Sequence, residues 1–242
     1  MAKVNKYHRP QTIDETVILL RESGTAVLAG GTQLIPNSQE IGAIVDLQSV
    51  GLNQIEREAD TVTFGAMIRL QEIVDHLDVP ELIRQMAHRE GSNTFRNVGT
   101  IGGVIALADW ESELYAALLL FEAAVTTQSA TGEQRYQLSE SWHLSEGELI
   151  TAVTIQTTGI TASERVARTP ADKPIVAVLG RQTEKGTLLA ACGLADKPIL
   201  ITESDLDSLR PPADFRGSAV YRQEMAKVLT NRVRRRIQSQ IR

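Results

Sequence analysis

Apolar positions along the chain change period several times, and each change marks an element. From Thr12 to Glu22, Ile13, Val17, Leu19 and Leu20 fall at helical spacing, with Asp14 and Glu15 early, where acids suit a helix start. Ala26-Val27-Leu28-Ala29 is a short apolar run that stops at Gly30-Gly31, and Ala43-Ile44-Val45-Asp46-Leu47 is a second strand. These predict a small α/β unit with parallel strands. A second region starts near Leu52. It holds a strand over Thr61–Ala66, helices over Leu70–Leu77 and Pro80–Glu90, and a glycine-rich stretch over Gly99–Gly103. Asp109 is placed to cap a helix running through Ala124, and strands are predicted over Ala124–Gln128 and Ile150–Gln156. After a Thr/Gly/Ser-rich connector, Thr157–Ser163, come β-rich runs at Ile175–Arg181 and Thr187–Cys192 and a helix over Ser218–Ile237. This third region reads as α+β with an antiparallel sheet.

Composition narrows the function classes. The chain has 242 residues, 42% of them hydrophobic but only 4% aromatic, so its core is aliphatic. A net charge of −5 argues against nucleic acid or an anionic membrane as partner. The single cysteine, Cys192, excludes a disulfide framework, a thiolate zinc site and an iron–sulfur cluster held by this chain alone. His8, His76, His88 and His143 show no metal-binding spacing. The longest apolar run, Leu114–Phe121, is far short of the ~20 residues of a membrane span. The start of the chain lacks the apolar stretch of a signal peptide, so a soluble, cytoplasmic protein is expected.

The candidate chemistry lies in two glycine pairs, Leu28-Ala29-Gly30-Gly31-Thr32-Gln33-Leu34 and Arg96-Asn97-Val98-Gly99-Thr100-Ile101-Gly102-Gly103. Each is placed to expose successive backbone N–H groups, which hold phosphates without a cationic side chain. The simpler reading of each is a tight turn. Neither segment fits the dinucleotide-binding GxGxxG or the P-loop pattern. Asp109, Glu111 and Glu113 read as cap and dipole match at a helix start rather than as a catalytic carboxylate pair. Arg232, Arg234, Arg235, Arg236 and Arg242 read as a solvated helix end, His88 as a surface residue and Cys192 as a small buried hydrophobe.

AGGTxLxP, here Ala29–Pro36, followed by RNxGTIGG, here Arg96–Gly103, resembles the FAD-binding medium subunits of the molybdenum hydroxylases. The likeness continues through Ala108-Asp109, Glu113, Glu148-Leu149-Ile150, Arg168–Val176 and Asp214–Arg222, so it covers nearly the whole chain. It implies an α+β chain: a two-lobed FAD-binding fold of the vanillyl-alcohol-oxidase type over residues 1–157, with lobes of about 1–51 and 52–157. A small, shortened C-terminal α+β domain over 163–242 would follow. By resemblance, the cofactor-binding residues are Leu28, Ala29, Gly30, Gly31, Thr32, Gln33 and Leu34 in the first loop, and Thr100, Ile101, Gly102, Gly103 and Val104 in the second. Glu113 and Ile150 complete the set. The implied cofactor is FAD. The implied partners are an iron–sulfur small subunit and a molybdenum–pterin large subunit, with self-association when the chain is isolated.

The sequence departs from the family at Gln33, where Asp or a small polar residue is usual, and at Val104, where Asn is usual and can hydrogen-bond the cofactor. Trp110 takes the place of a usual Pro, and its bulk is expected to alter the cleft. Two other readings stay open at this point: a flavin-free scaffold or assembly subunit, and a stand-alone flavin oxidoreductase.

Overall fold

The computed structural model describes residues 3–33, 40–140 and 143–241. Leu34 and Pro36 of the first motif and Arg242 lie outside the described residues.

Three sheets organise the chain. The first is parallel, in the order β1 (Lys3–His8), β3 (Glu40–Asp46), β2 (Thr25–Leu28). Between β1 and β2 runs α1 (Ile13–Leu19), started by Thr12, whose hydroxyl accepts the Glu15 N–H at 3.1 Å. The Glu15 carboxylate returns to the Gln11 N–H at 2.7 Å, a reciprocal cap that fixes the first turn. Leu20, Val45, Leu47 and Leu149 form the small core here, so this sheet already leans on the second one.

The second sheet is antiparallel, in the order β4 (Ile55–Glu58), β5 (Thr61–Gly65), β8 (Leu149–Gln156), β6 (Ala124–Ser129), β7 (Gly132–Gln137). Five helices lie between β5 and β6 in sequence: α2 (Leu70–Asp75), α3 (Glu81–Arg89), α4 (Asn93–Arg96), α5 (Ile101–Leu107) and α6 (Glu113–Leu120). The third sheet is antiparallel, in the order β12 (Ile199–Leu200), β11 (Gly186–Cys192), β10 (Val176–Thr183), β9 (Ile160–Val166), and is covered by α7 (Ala219–Ile241). Gly180 of β10 lets α7 sit close, because a Cβ there would come within 2.5 Å of Val233.

All eight residues of α6 are buried. Ala177, Leu179, Ala190 and Cys192 of the third sheet share one core with α6 and with Val62, Phe64, Val153 and Ile155 of the second. A helix that is apolar all round needs cover on every side, and α6 finds it between two sheets.

Several boundaries differ from the sequence reading. The helix expected from Asp109 through Ala124 starts instead at Ser112, whose hydroxyl accepts the Tyr115 N–H at 2.9 Å, and ends at Leu120. Asp109 caps only a turn, accepting the Glu111 N–H at 3.0 Å. The connector expected over Thr157–Ser163 shrinks, because β9 begins at Ile160. The glycine-rich stretch ends as a helix, α5, and α7 extends to Ile241. Strands β1, β4, β7, β9 and β12 are absent from the sequence reading: each is a sheet edge, and the polar residues of β1, β4 and β7 suit an edge that must not pair with other chains.

Candidate functional site

A cleft of about 560 Å³ opens at the carboxyl end of β2, where a parallel sheet leaves room for a ligand. One wall is the loop Ala29–Gln33. The opposite wall runs from Glu90 at the end of α3, past Phe95, to Gly99, Thr100, Gly103 and Val104. Asp109 and Lys173 close one end.

The two glycine pairs solve different problems. Gly31 has φ +69°, a conformation that favours glycine. A Cβ on Gly30 would come within 2.0 Å of the Val98 carbonyl oxygen, so the first loop touches the second through bare backbone. Among the described residues, the N–H groups of Gly30, Gly31 and Thr32 donate to no protein acceptor.

In the second pair the donors are spent. The Ile101 N–H donates to the Ile68 carbonyl at 3.0 Å and the Gly102 N–H to that of Ala66 at 2.9 Å. The Gly103 N–H donates to the Thr100 hydroxyl at 3.1 Å, which caps α5. Gly102 is there for packing, since a Cβ would meet the Ala66 oxygen at 2.8 Å. Gly103 meets only the Thr100 hydroxyl, at 3.2 Å, and its missing side chain keeps the cleft floor open. The expectation of a second run of free amides is therefore corrected: α5 begins on this segment and consumes them.

Of the residues expected to hold a cofactor, Ala29, Gly30, Gly31, Thr32, Gln33, Thr100, Gly103 and Val104 line the cleft. Leu28 is the last residue of β2, just before the loop. Ile101, Gly102, Glu113 and Ile150 are buried behind the cleft wall. Glu113 lies between Arg89 at 3.2 Å and Arg165 at 3.5 Å, and burial raises its pKa despite both cations. Trp110 does not crowd the cleft. Its ring stacks on the buried Arg222 guanidinium at 4.7 Å, away from the cofactor wall. That guanidinium pairs with Asp214 at 2.8 Å. Burial opposes ionisation of Asp214, but Arg222 and the N–H groups of Arg216 and Gly217 hold its pKa down to about 2. Arg216 bridges Asp214 and Glu111, so this network fastens the segment before α6 to the C-terminal region.

Sequence reasoning missed Glu90 and Lys173. The Lys173 ammonium is 2.5 Å from the Asp109 carboxylate. Burial works to lower its pKa, but the Asp109 hydrogen bond and the nearby Glu90 charge raise it overall. Burial pushes the Glu90 carboxyl up to about 7, against the pull of Lys173 and of the Ser112 hydroxyl, which donates to it at 3.0 Å. The wall carrying Glu90 is braced by the buried Arg96, which donates to the carbonyls of His88 at 3.1 Å and Gly91 at 2.7 Å. The arginine of the second motif is thus a strut for the cleft. Cys192 is buried, and burial pushes its thiol well up, which leaves it inert.

The cleft fits a phosphate-bearing cofactor on two observations. Among the described residues, the amides of Gly30, Gly31 and Thr32, which line it, have no protein acceptor, and Gly30 and Gly31 leave no Cβ in the way. Among the described residues, no helix is long and apolar enough to cross a membrane.

Residues 2–156 match the family described as the FAD binding domain in molybdopterin dehydrogenase. The chain is 28% identical to the glyceraldehyde dehydrogenase medium chain of Sulfolobus acidocaldarius, covering 93% of this chain and 95% of the relative. It is 30% identical to the carbon monoxide dehydrogenase medium chain of Afipia carboxidovorans, covering 93% and 94%. A crystal structure of Cu,Mo-CO dehydrogenase superimposes with a TM-score of 0.87 at 25% identity, over 99% of both chains. The chain belongs to the FAD-binding family of the molybdopterin dehydrogenases and is an FAD-binding oxidoreductase subunit.

Proposed function

We propose that this chain is the electron-transfer subunit of a heteromeric molybdopterin-dependent dehydrogenase. It passes electrons from the iron–sulfur clusters of a small subunit, through FAD, to an external acceptor. Substrate oxidation belongs to a separate molybdenum–pterin large subunit. The observation that carries this reading is the first glycine loop, which lines a cleft of cofactor size and whose three amides have no acceptor among the described residues. The single buried cysteine supports a cluster held on another chain.

FAD, when bound, supplies the redox chemistry. The chain's own residues position it. Gly30, Gly31 and Thr32 would donate their amides to the diphosphate. Thr100, Gly103 and Val104 would form the facing wall, chiefly by shape, because their segment has little donor capacity left. Phe95 and Leu107 give that wall apolar surface that excludes water. The flavin-free scaffold suggested by Val104 and Gln33 loses its support to the unpaired amides and to the family match.

The test is to express the full chain, add excess FAD, remove the free cofactor and record the visible spectrum. One retained flavin per chain is expected. Adding reduced iron–sulfur subunit should then bleach the flavin, and a flavin that stays oxidised would overturn the electron-transfer role.

A further inference from the structure

Glu90 has a setting unlike any other carboxylate of the cleft. It stands at the C-cap of α3, on a turn that Arg96 holds rigid, and it lines the same cavity as the free amides of Gly30 and Gly31. Among the described residues it forms no ion pair. Its carboxylate accepts from the Ser112 hydroxyl at 3.0 Å and from the Leu114 N–H. The Lys173 ammonium is committed to Asp109.

The charged and titratable groups around it come from several elements, among them Arg96 of α4, which donates to the adjacent Gly91 carbonyl, and Arg165 of β9, which pairs with Glu113. Arg89 is its neighbour on α3 and turns to Glu113 on α6. Asp109 and Glu111 precede α6, and Glu111 is taken by Arg216. Lys173 precedes β10, and Cys192 closes β11 with its thiol buried. Each neighbouring carboxylate has a cation in direct ion-pair contact, whereas Glu90 has only the pull of Lys173, which is paired with Asp109, to offset its charge. Burial accordingly favours its neutral form.

We propose that Glu90 is a redox-linked proton carrier of the cofactor cleft: it takes up a proton when bound FAD is reduced and releases it when FAD is reoxidised. The proposal rests on the FAD-binding cleft described above. The two electrons come from an external reductant, which is oxidised; in the assembled enzyme the partner's iron–sulfur clusters deliver them one at a time, each cluster being oxidised by one electron per transfer. Reduction adds negative charge to the cleft, and that charge raises the proton affinity of a carboxylate that lines the same cleft without an ion pair. The proton arrives from solvent at the cleft mouth, an O–H bond forms on Glu90, and reoxidation breaks it again. No covalent bond to the cofactor is involved.

The measurement is the reduction potential of FAD bound to the full chain, titrated with dithionite and a reference dye across about pH 5 to 9, either side of neutrality. The pH dependence reads the protons taken up per two electrons. Wild type should show an increment of up to one proton per FAD near neutral pH, beyond that of the flavin itself. Glu90→Gln, which keeps the shape and a hydrogen bond to Ser112, should lose the increment while binding FAD at the same stoichiometry. Lys173→Met removes the cation that pulls on the Glu90 carboxyl and should move the increment to higher pH. A protonated-carboxyl band should also appear in the reduced-minus-oxidised infrared difference spectrum of wild type. An unchanged pH dependence in Glu90→Gln, or an increment that Lys173→Met leaves in place, would overturn the proposal while FAD binding stands. Failure of wild type to bind FAD would overturn the cleft assignment itself.

Discussion

The two walls of the cleft carry similar glycine pairs and use them in opposite ways. On the Gly30-Gly31 wall the glycines free the backbone: one takes a positive φ, the other lets the loop touch Val98, and the amides stay unpaired. On the Gly102-Gly103 wall the amides are spent on Ala66 and Thr100, and the glycines serve packing and clearance. A Gly-Gly dipeptide therefore does not announce an anion site. What distinguishes the two is whether a helix starts on the pair and whether a neighbouring strand end supplies carbonyls to it. In the proposed function, recognition of the phosphates falls to the first wall, and the second contributes shape and the Glu90 carboxyl.

Substitutions sharpen this contrast. The largest effect is expected from Gly30→Ala, whose Cβ would drive the loops apart. FAD affinity should fall at least a hundredfold, about 3 kcal/mol, in equilibrium dialysis. Next comes the pH dependence of the cofactor-free protein. Glu90 titrates near 4.5 unfolded but about 7 folded, so between these values the fold keeps a proton that the unfolded chain has lost. Stability must fall as pH rises through that window, by at most about 3 kcal/mol, less what solvent at the cleft mouth screens. Urea denaturation at a series of pH values should show the fall, and Glu90→Gln should flatten it. Gly102→Ala should cost about 1–3 kcal/mol of stability through its clash with Ala66, yet leave FAD affinity of the folded protein within about threefold. A loss of FAD as severe as that of Gly30→Ala would break the distinction. The smallest effect is a gain: Val104→Asn places a hydrogen-bonding side chain on the cleft wall and should tighten FAD by about tenfold or less.

Much of this was legible in the sequence because it depends on short-range pattern. The apolar runs at Ala26 and Ala43, the helix expected over Thr12–Glu22 and the first glycine turn all follow from neighbours in the chain. The edge strands β1, β4 and β7 were hidden, since their stability comes from a partner strand rather than from an alternating apolar face. Helix α5 was hidden by its own glycines, which suggest a turn, although the Thr100 cap and the carbonyls of Ala66 and Ile68 support a first helical turn there. Glu90, Asp109 and Lys173 meet only through the packing of α3, α6 and the third sheet, which no local signal encodes. Trp110 misled as a bulky residue next to a motif, and its partner Arg222 comes from the distant helix α7.

The most direct test of the central claim is amide hydrogen exchange of the full chain with and without FAD, read over the two glycine segments. The account predicts that the amides of Gly30, Gly31 and Thr32 exchange fast in the free protein and become protected when FAD binds. Those of Ile101, Gly102 and Gly103 should be protected already and change little. Fast exchange at residues 101–103 that slows with FAD, with no change at residues 30–32, would contradict it.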